Sequence, residues 1–217
     1  MNIELEELTH QNFSDACKID RDDIPEAFVD TASTIMELTD YGLAHHCIGH
    51  TFVVKDHGKP VGLILLGEAL PWKTDPPEMR NEPFYRLMGF VVDKQYRGRG
   101  IGGEILEKTI RLVYRDFGKR PIALGCHKDN TQAERFYLRH GFRKTDAMEG
   151  NDCYYLRFTD RQLPICRTPK RTQAAHDRRQ HSGIPCGGES HFRSLPRNRR
   201  SLQKISQTGY LEFAKGA

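Results

Sequence analysis

The chain has 217 residues, with 33 Lys and Arg against 29 Asp and Glu, for a net charge of +4. It contains no run of about 20 apolar residues, which excludes a membrane-spanning helix. Charge and composition change after Asp160: residues 161–217 carry 12 basic and 3 acidic residues, which leaves residues 1–160 acidic. The front part is long enough to bury one full core. Cysteines fall at 17, 47, 126, 153, 166 and 186 with no C-x-x-C pair, a pattern expected of reduced thiols in a cytoplasmic protein. Met1 to Glu6 alternates like a strand and is not a signal peptide.

In chain order, Ile3 to Leu8 reads as a first strand, with Thr9 as N-cap of a helix over about 10–18. Residues 24–47 read as mostly helical, because Ile24, Phe28, Ala32, Ile35, Met36 and Leu43 recur at helical spacing. Thr51 to Lys55 and Val61 to Leu66 read as a hairpin across the turn-rich residues 56–60. A polar, proline-rich loop over 71–83 leads into a strand, Tyr85 to Val92. Ile101, Ile105, Ile110, Val113 and Phe117 give the next helix a buried stripe. Ile122 to Cys126 reads as a buried strand, followed by a short helix from Asn130 to His140. There Thr131 and Glu134 have capping-box spacing, and Gly141 suits the position after the C-cap. Phe142 to Ala147 and Cys153 to Phe158 close the domain as a hairpin.

Between strand and helix lies Gln95-Tyr96-Arg97-Gly98-Arg99-Gly100-Ile101-Gly102. A strand that feeds a Gly-rich basic turn and then a helix start is a device for holding a diphosphate. Glycines let successive N–H groups point at one anion, and the helix dipole adds to them. A nucleotide-hydrolase loop needs Lys-Ser or Lys-Thr after its last glycine, and Ile101 stands there instead. A dinucleotide fingerprint needs an acidic residue about 20 positions on, where Gly118-Lys119-Arg120 lies.

The loop and the Asn130 helix together resemble the GNAT superfamily of acetyl-coenzyme A-dependent N-acetyltransferases. The family's loop, Gln/Arg-x-x-Gly-x-Gly/Ala, is matched by Gln95, Gly98 and Gly100. Its second signature is matched by Asn130, Ala133, Phe136, Tyr137, Gly141 and Phe142. The resemblance covers roughly residues 1–160. It implies an α/β fold in the GNAT order, a central mixed sheet flanked by helices.

The resemblance also implies roles. Gln95, Tyr96, Arg97, Gly98, Arg99, Gly100, Ile101 and Gly102 would hold the pyrophosphate of acetyl-CoA, with Arg97 and Arg99 supplying charge. Phe90, Val91 and Val92 would pair with the pantetheine arm and polarise the acetyl carbonyl. Asn130, Ala133 and Phe136 would position the cofactor and the helix. Tyr137 matches the family's general acid. A phenol of pKa about 10 can protonate a thiolate of pKa about 8.5 at a cost of roughly 2 kcal/mol. For the base, Glu82, Glu68 and a relay through water all stand. The run from Phe84 to Gly100 is similar to small bacterial spermine/spermidine acetyltransferases, and Asp22, Asp23, Glu26, Asp30, Glu37 and Asp40 could attract a polyamine.

The expected function is therefore acetyl transfer to a small primary amine by direct attack, with no metal and no membrane partner, in a chain that could form a homodimer. The alternatives are a protein, peptide or antibiotic amine as acceptor, or a non-catalytic acyl-CoA-binding regulator. His45, His46, Cys47 and His50 cluster in sequence but diverge on a helix, which argues against a metal site. Residues 161–217 read as a disordered basic appendage. An arm that contacts nucleic acid, or a zinc knot from Cys166, His176, His181 and Cys186, are the alternatives for that segment.

Overall fold

A computed structural model describes residues 2–70, 72–80 and 82–159. The expected appendage lies outside the described residues. Seven strands form one sheet in the order β1-β2-β3-β4-β5-β7-β6. They are β1 (Ile3–Glu7), β2 (Gly49–Asp56), β3 (Lys59–Glu68), β4 (Tyr85–Val92), β5 (Ile122–His127), β6 (Arg143–Glu149) and β7 (Asp152–Arg157). β4 and β5 run parallel, and the other neighbouring pairs are antiparallel. The helices are α1 (Phe13–Ala16), α2 (Ala32–Ala44), α3 (Ile101–Phe117) and α4 (Thr131–Arg139). This is the mixed sheet with flanking helices that the motifs imply.

The sheet is apolar on both faces because both are covered. On one face α3 buries Ile101, Ile105, Leu106, Ile110 and Val113 in a core shared with Val54, Val61, Ile64, Leu87 and Leu124. On the other, α1 and α2 bury Ala16, Ile35 and Met36 against Val53, Leu63, Leu65 and Val91. Truncating one such side chain to Ala costs about 2–5 kcal/mol.

Three local expectations are corrected. The first helix is a single turn: the Asn12 side chain accepts from the Thr9 N–H at 2.8 Å, so Asn12 organises the turn and Thr9 is not its cap. The 24–47 segment is not one helix. Pro25 opens a 3₁₀ turn at Glu26–Phe28, Val29 is extended, and α2 begins only after Thr31, whose hydroxyl accepts from the Thr34 N–H. Leu43, counted in the helical stripe, is 70% exposed. The β2–β3 hairpin is tighter than expected. His57 and Gly58 alone form the turn, both at positive φ, as a two-residue type I′ connection requires.

Candidate active site

The site is built around a break in strand pairing. β4 pairs with β5 only at Tyr85 with Ile122 and Arg86 with Ala123. From Leu87 onward the two strands have no shared register. On the other side, the β3 register shifts between Leu63, opposite Val91, and Leu65, opposite Met88. The extra residue on β4 makes a bulge, which bends the strand. Gly89 sits in it at φ 57°, and a Cβ there would lie 2.1 Å from Ile35 Cδ1. The strand can turn away from β5 only because this residue has no side chain.

At the end of β4, Asp93 prepares the loop. Its buried carboxylate accepts from the Gln95 N–H at 2.9 Å and the Asp20 N–H at 2.8 Å. Gly98 and Gly100 both lie at positive φ, and nothing would touch a Cβ at either. Among the described residues, no backbone hydrogen bond takes up the N–H groups of Gly98, Arg99, Gly100, Ile101 or Gly102. They form a run of donors that ends in the N-terminus of α3, a cradle for an anion. Such a cradle fits a diphosphate.

Two residues expected in this cradle have further engagements. Arg97 does not offer its guanidinium to the loop. It bonds the Asp23 carboxylate at 2.6 Å and the Val92 carbonyl at 2.7 Å, so it ties the strand end to the segment around Asp23. That bond also occupies the Val92 carbonyl, one of the backbone groups expected to serve the pantetheine arm. Gly102 has a packing duty, since a Cβ there would press the Phe136 ring at 3.3 Å. Arg99 remains as the exposed cation, with its guanidinium 5.9 Å from the Tyr96 ring.

α4 carries the tyrosine. The expected capping box is not used: the Asn130 side chain accepts from the Ala133 N–H at 3.1 Å, and Glu134 instead binds Lys144 and the Tyr155 hydroxyl. At the other end, Phe142 N–H bonds the Tyr137 carbonyl and Gly141 N–H bonds the Leu138 carbonyl. These two bonds, with Gly141 at φ 78°, are a Schellman turn. The Tyr137 and Phe142 rings meet edge-on at 5.5 Å, which supplies the apolar contact that accompanies such turns. Phe136 packs on Phe90 and His140. Tyr137 is thus fixed from both sides, and no hydrogen bond among the described residues engages its hydroxyl.

Burial pushes the Tyr137 phenol above its ordinary pKa, and the neighbouring Cys126 adds to this. The group stays protonated at neutral pH and is suited to donating a hydrogen bond. Burial also pushes the Cys126 thiol up to about 12, which keeps it protonated and unsuited to act as a nucleophile.

Neither sequence-named base is brought to the break. Glu68 lies opposite Tyr85, at the paired end of β4, and bonds Arg120 at 3.1 Å. Glu82 is exposed in the loop before β4, at that same end. On the α2 face of the sheet the structure assembles another set. His127 pairs in register with Asp152, Phe28 stacks on the His127 ring at 5.0 Å, and Asp30 follows Phe28 on the same segment. Asp30 and Asp152 interact electrostatically, and burial raises both carboxyls above the ordinary range. Asp30 appears in the sequence only as one acid among many, and Asp152 only as the end of a turn. Their meeting depends on the β5–β7 register, which a single sequence does not display.

A model of the acetyltransferase (GNAT) family matches residues 13–142, so the chain belongs to that family. It is 29% identical over 99 residues to an uncharacterised N-acetyltransferase of Methanocaldococcus jannaschii, a match over 46% of this chain and 41% of that protein. It is 28% identical over 98 residues to a probable spermine N(1)-acetyltransferase of Bacillus subtilis subsp. natto, over 43% of this chain and 64% of the relative. The chain thus spans less than two thirds of either relative. In fold it is similar to the PaiA N-acetyltransferase of Thermoplasma acidophilum, solved in complex with coenzyme A, with a TM-score of 0.56 at 15% identity over 73% of this chain and 100% of that one. Among the described residues, no helix is long and apolar enough to cross a membrane.

Proposed function

We propose that this chain is an acetyl-CoA-dependent N-acetyltransferase that moves the acetyl group to a small cationic primary amine by direct attack. The observation that carries this reading is the row of unused N–H donors from Gly98 to Gly102, beside the unpaired stretch of β4. The row suits the pyrophosphate, with Gln95, Tyr96 and Arg99 at its edge. The unpaired backbone of Phe90 and Val91 suits the pantetheine arm. Tyr137 would donate its phenolic hydrogen to the sulfur as the thiolate leaves. Its raised pKa makes full transfer more uphill than for a free tyrosine, so hydrogen bonding to the developing charge is its main contribution. The high thiol pKa of Cys126 supports direct attack over an acyl-enzyme.

Residues 1–160 would be the catalytic unit and 161–217 an appendage to it. Asp30 and Glu149 lie within electrostatic reach of Asp152, and this cluster of carboxylates at the end of β5 supports a cationic acceptor. A polyamine is the acceptor favoured, and the similarity to a protein named a probable spermine N(1)-acetyltransferase supports the same choice.

The test is thiol release from acetyl-CoA across spermidine, spermine, an aminoglycoside, free amino acids and a peptide amine. Saturable turnover with the polyamines is the expected result. Turnover with another class replaces the acceptor and keeps the enzyme. Coenzyme A binding with no turnover on any acceptor overturns the catalytic reading in favour of a binding protein.

A further inference from the structure

We propose that Asp30 is the catalytic residue that receives the acceptor's ammonium group and takes its proton. This inference rests on the acetyltransferase reading above and assigns the base that Glu68 and Glu82 do not supply.

The argument begins with placement. Asp30 precedes Thr31, the cap of α2, so its backbone is fixed by a helix start. Arg21 Nη1 donates to the Asp30 carbonyl at 2.6 Å and fixes it a second time. Phe28, two residues earlier, is held by its stack on His127. Ile35, one turn into α2, fills the space left by the missing side chain of Gly89. These contacts bring the start of α2 against the bulge, and the Asp30 carboxylate faces the Gly89 N–H. It thus stands where β4 leaves β5, on the face opposite α3, while Tyr137 is partly buried against the core on the α3 side. An amine entering from the α2 face would meet a carboxylate on its own side, with the phenol beyond.

The groups around Asp30 suit the task. Its own segment contributes the Arg21 cation, β4 the Gly89 N–H, and β7 the Asp152 carboxylate. Behind Asp152 stand His127 of β5 and Glu149 of β6. Asp30 is solvent-exposed, yet desolvation by the protein beside it outweighs Arg21 and the backbone N–H groups, so its carboxylate is more basic than a free one. A base is more effective as its pKa approaches that of the group it deprotonates.

The step balances without a further reactant. The Asp30 carboxylate takes one proton from the ammonium, and the freed lone pair forms the bond to the acetyl carbon. The carbon–sulfur bond breaks and its electron pair leaves on sulfur. The leaving sulfur is stabilised by a hydrogen bond from Tyr137 and takes up the second proton of the nitrogen. Asp30 then returns its proton to solvent.

The experiment compares wild type, Asp30→Asn and Asp30→Glu in thiol release from spermidine between pH 7 and pH 10, with coenzyme A affinity measured for each. At pH 7 only about 1 in 2,500 of an amine of pKa 10.4 is neutral, so the asparagine variant should lose roughly 100-fold in kcat/KM. The loss should shrink with each pH unit and nearly vanish near pH 10, where the amine supplies its own lone pair. Asp30→Glu should recover part of the rate at pH 7. A loss that stays constant across the pH range, with coenzyme A affinity intact, marks a structural role and overturns the proposal, as does no loss at all. If Asp30→Asn fails to bind coenzyme A, the glutamate variant decides alone: a wild-type pH profile supports the proposal and a uniform loss overturns it. Wild-type protein that releases no thiol with any amine overturns the acetyltransferase reading, and this assignment with it.

Discussion

The first two residues of β4 are paired to β5, and the side chain of the second, Arg86, is sealed in. Its guanidinium bonds Asp75 at 2.7 Å, lies over the Trp72 ring at 3.6 Å and is 3% exposed. Three residues later the same strand has lost its β5 partner, contains a glycine at positive φ, and leads into a loop whose N–H groups have no internal acceptor. The closed end ties Arg86 to Asp75, although Arg86 Nε and Nη1 have no hydrogen-bond partner among the described residues, whereas the open end keeps a row of backbone donors for something else. Unsatisfied backbone is tolerable only where a ligand or water can reach it. The closed end holds the open end in a geometry the latter could not maintain alone.

Substitutions at the two ends should therefore fail differently. The largest effect on stability is expected for Gly89→Ala. Backbone strain and the clash with Ile35 add to about 4 kcal/mol, read as a shift of the urea midpoint, with activity lost as well. At the closed end, Arg86→Met leaves Asp75 buried without its cation and should cost about 3 kcal/mol. The double variant Arg86→Met/Asp75→Leu should recover part of that in the same measurement. At the open end, Gly98→Glu should cost only about 1 kcal/mol of stability, from backbone strain at positive φ without a clash, and weaken coenzyme A binding by roughly 100-fold, measured by calorimetry. Loss of both properties together would deny the separation of the two ends.

The smallest effect is a pH response at the closed end. Arg115 and His50 beside Asp116 hold its carboxyl at about 2, below the ordinary 3.8. A carboxyl lowered on folding contributes stability above its unfolded value and loses it as pH falls. Wild-type Tm should therefore exceed that of Asp116→Asn at neutral pH, drop more steeply between about pH 4 and pH 2, and meet it near pH 2.

The order of strands and helices was legible because the apolar periods are long and the turns are marked by glycine and proline. Gly98, Gly100 and Tyr137 can be proposed from sequence for another reason: the residues that mark each of them out are its neighbours in the chain. Arg97 shows the limit. As a cation in a phosphate loop it reads as a ligand, yet its partner, Asp23, lies 74 positions away. The same holds for Asp30 and Asp152, which meet only once α2 docks on the bulge and β7 finds its register. Glu68 was misjudged because strand ends look alike in sequence, while only the register tells which end of β4 it faces.

The donors from Gly98 to Gly102 have a consequence for how this chain can vary. They are main-chain groups, which every residue but proline possesses. Recognition of this kind writes little into the letters of the loop, since it demands glycine only where the chain must turn with positive φ. On the proposed reading, Arg99 and Tyr96 should be able to change identity without loss of coenzyme A binding. A saturation library selected for coenzyme A binding should accept many residues at those two positions and almost none at Gly98 and Gly100. The loop would then appear permissive to anyone counting side-chain contacts, though its backbone path is held tightly.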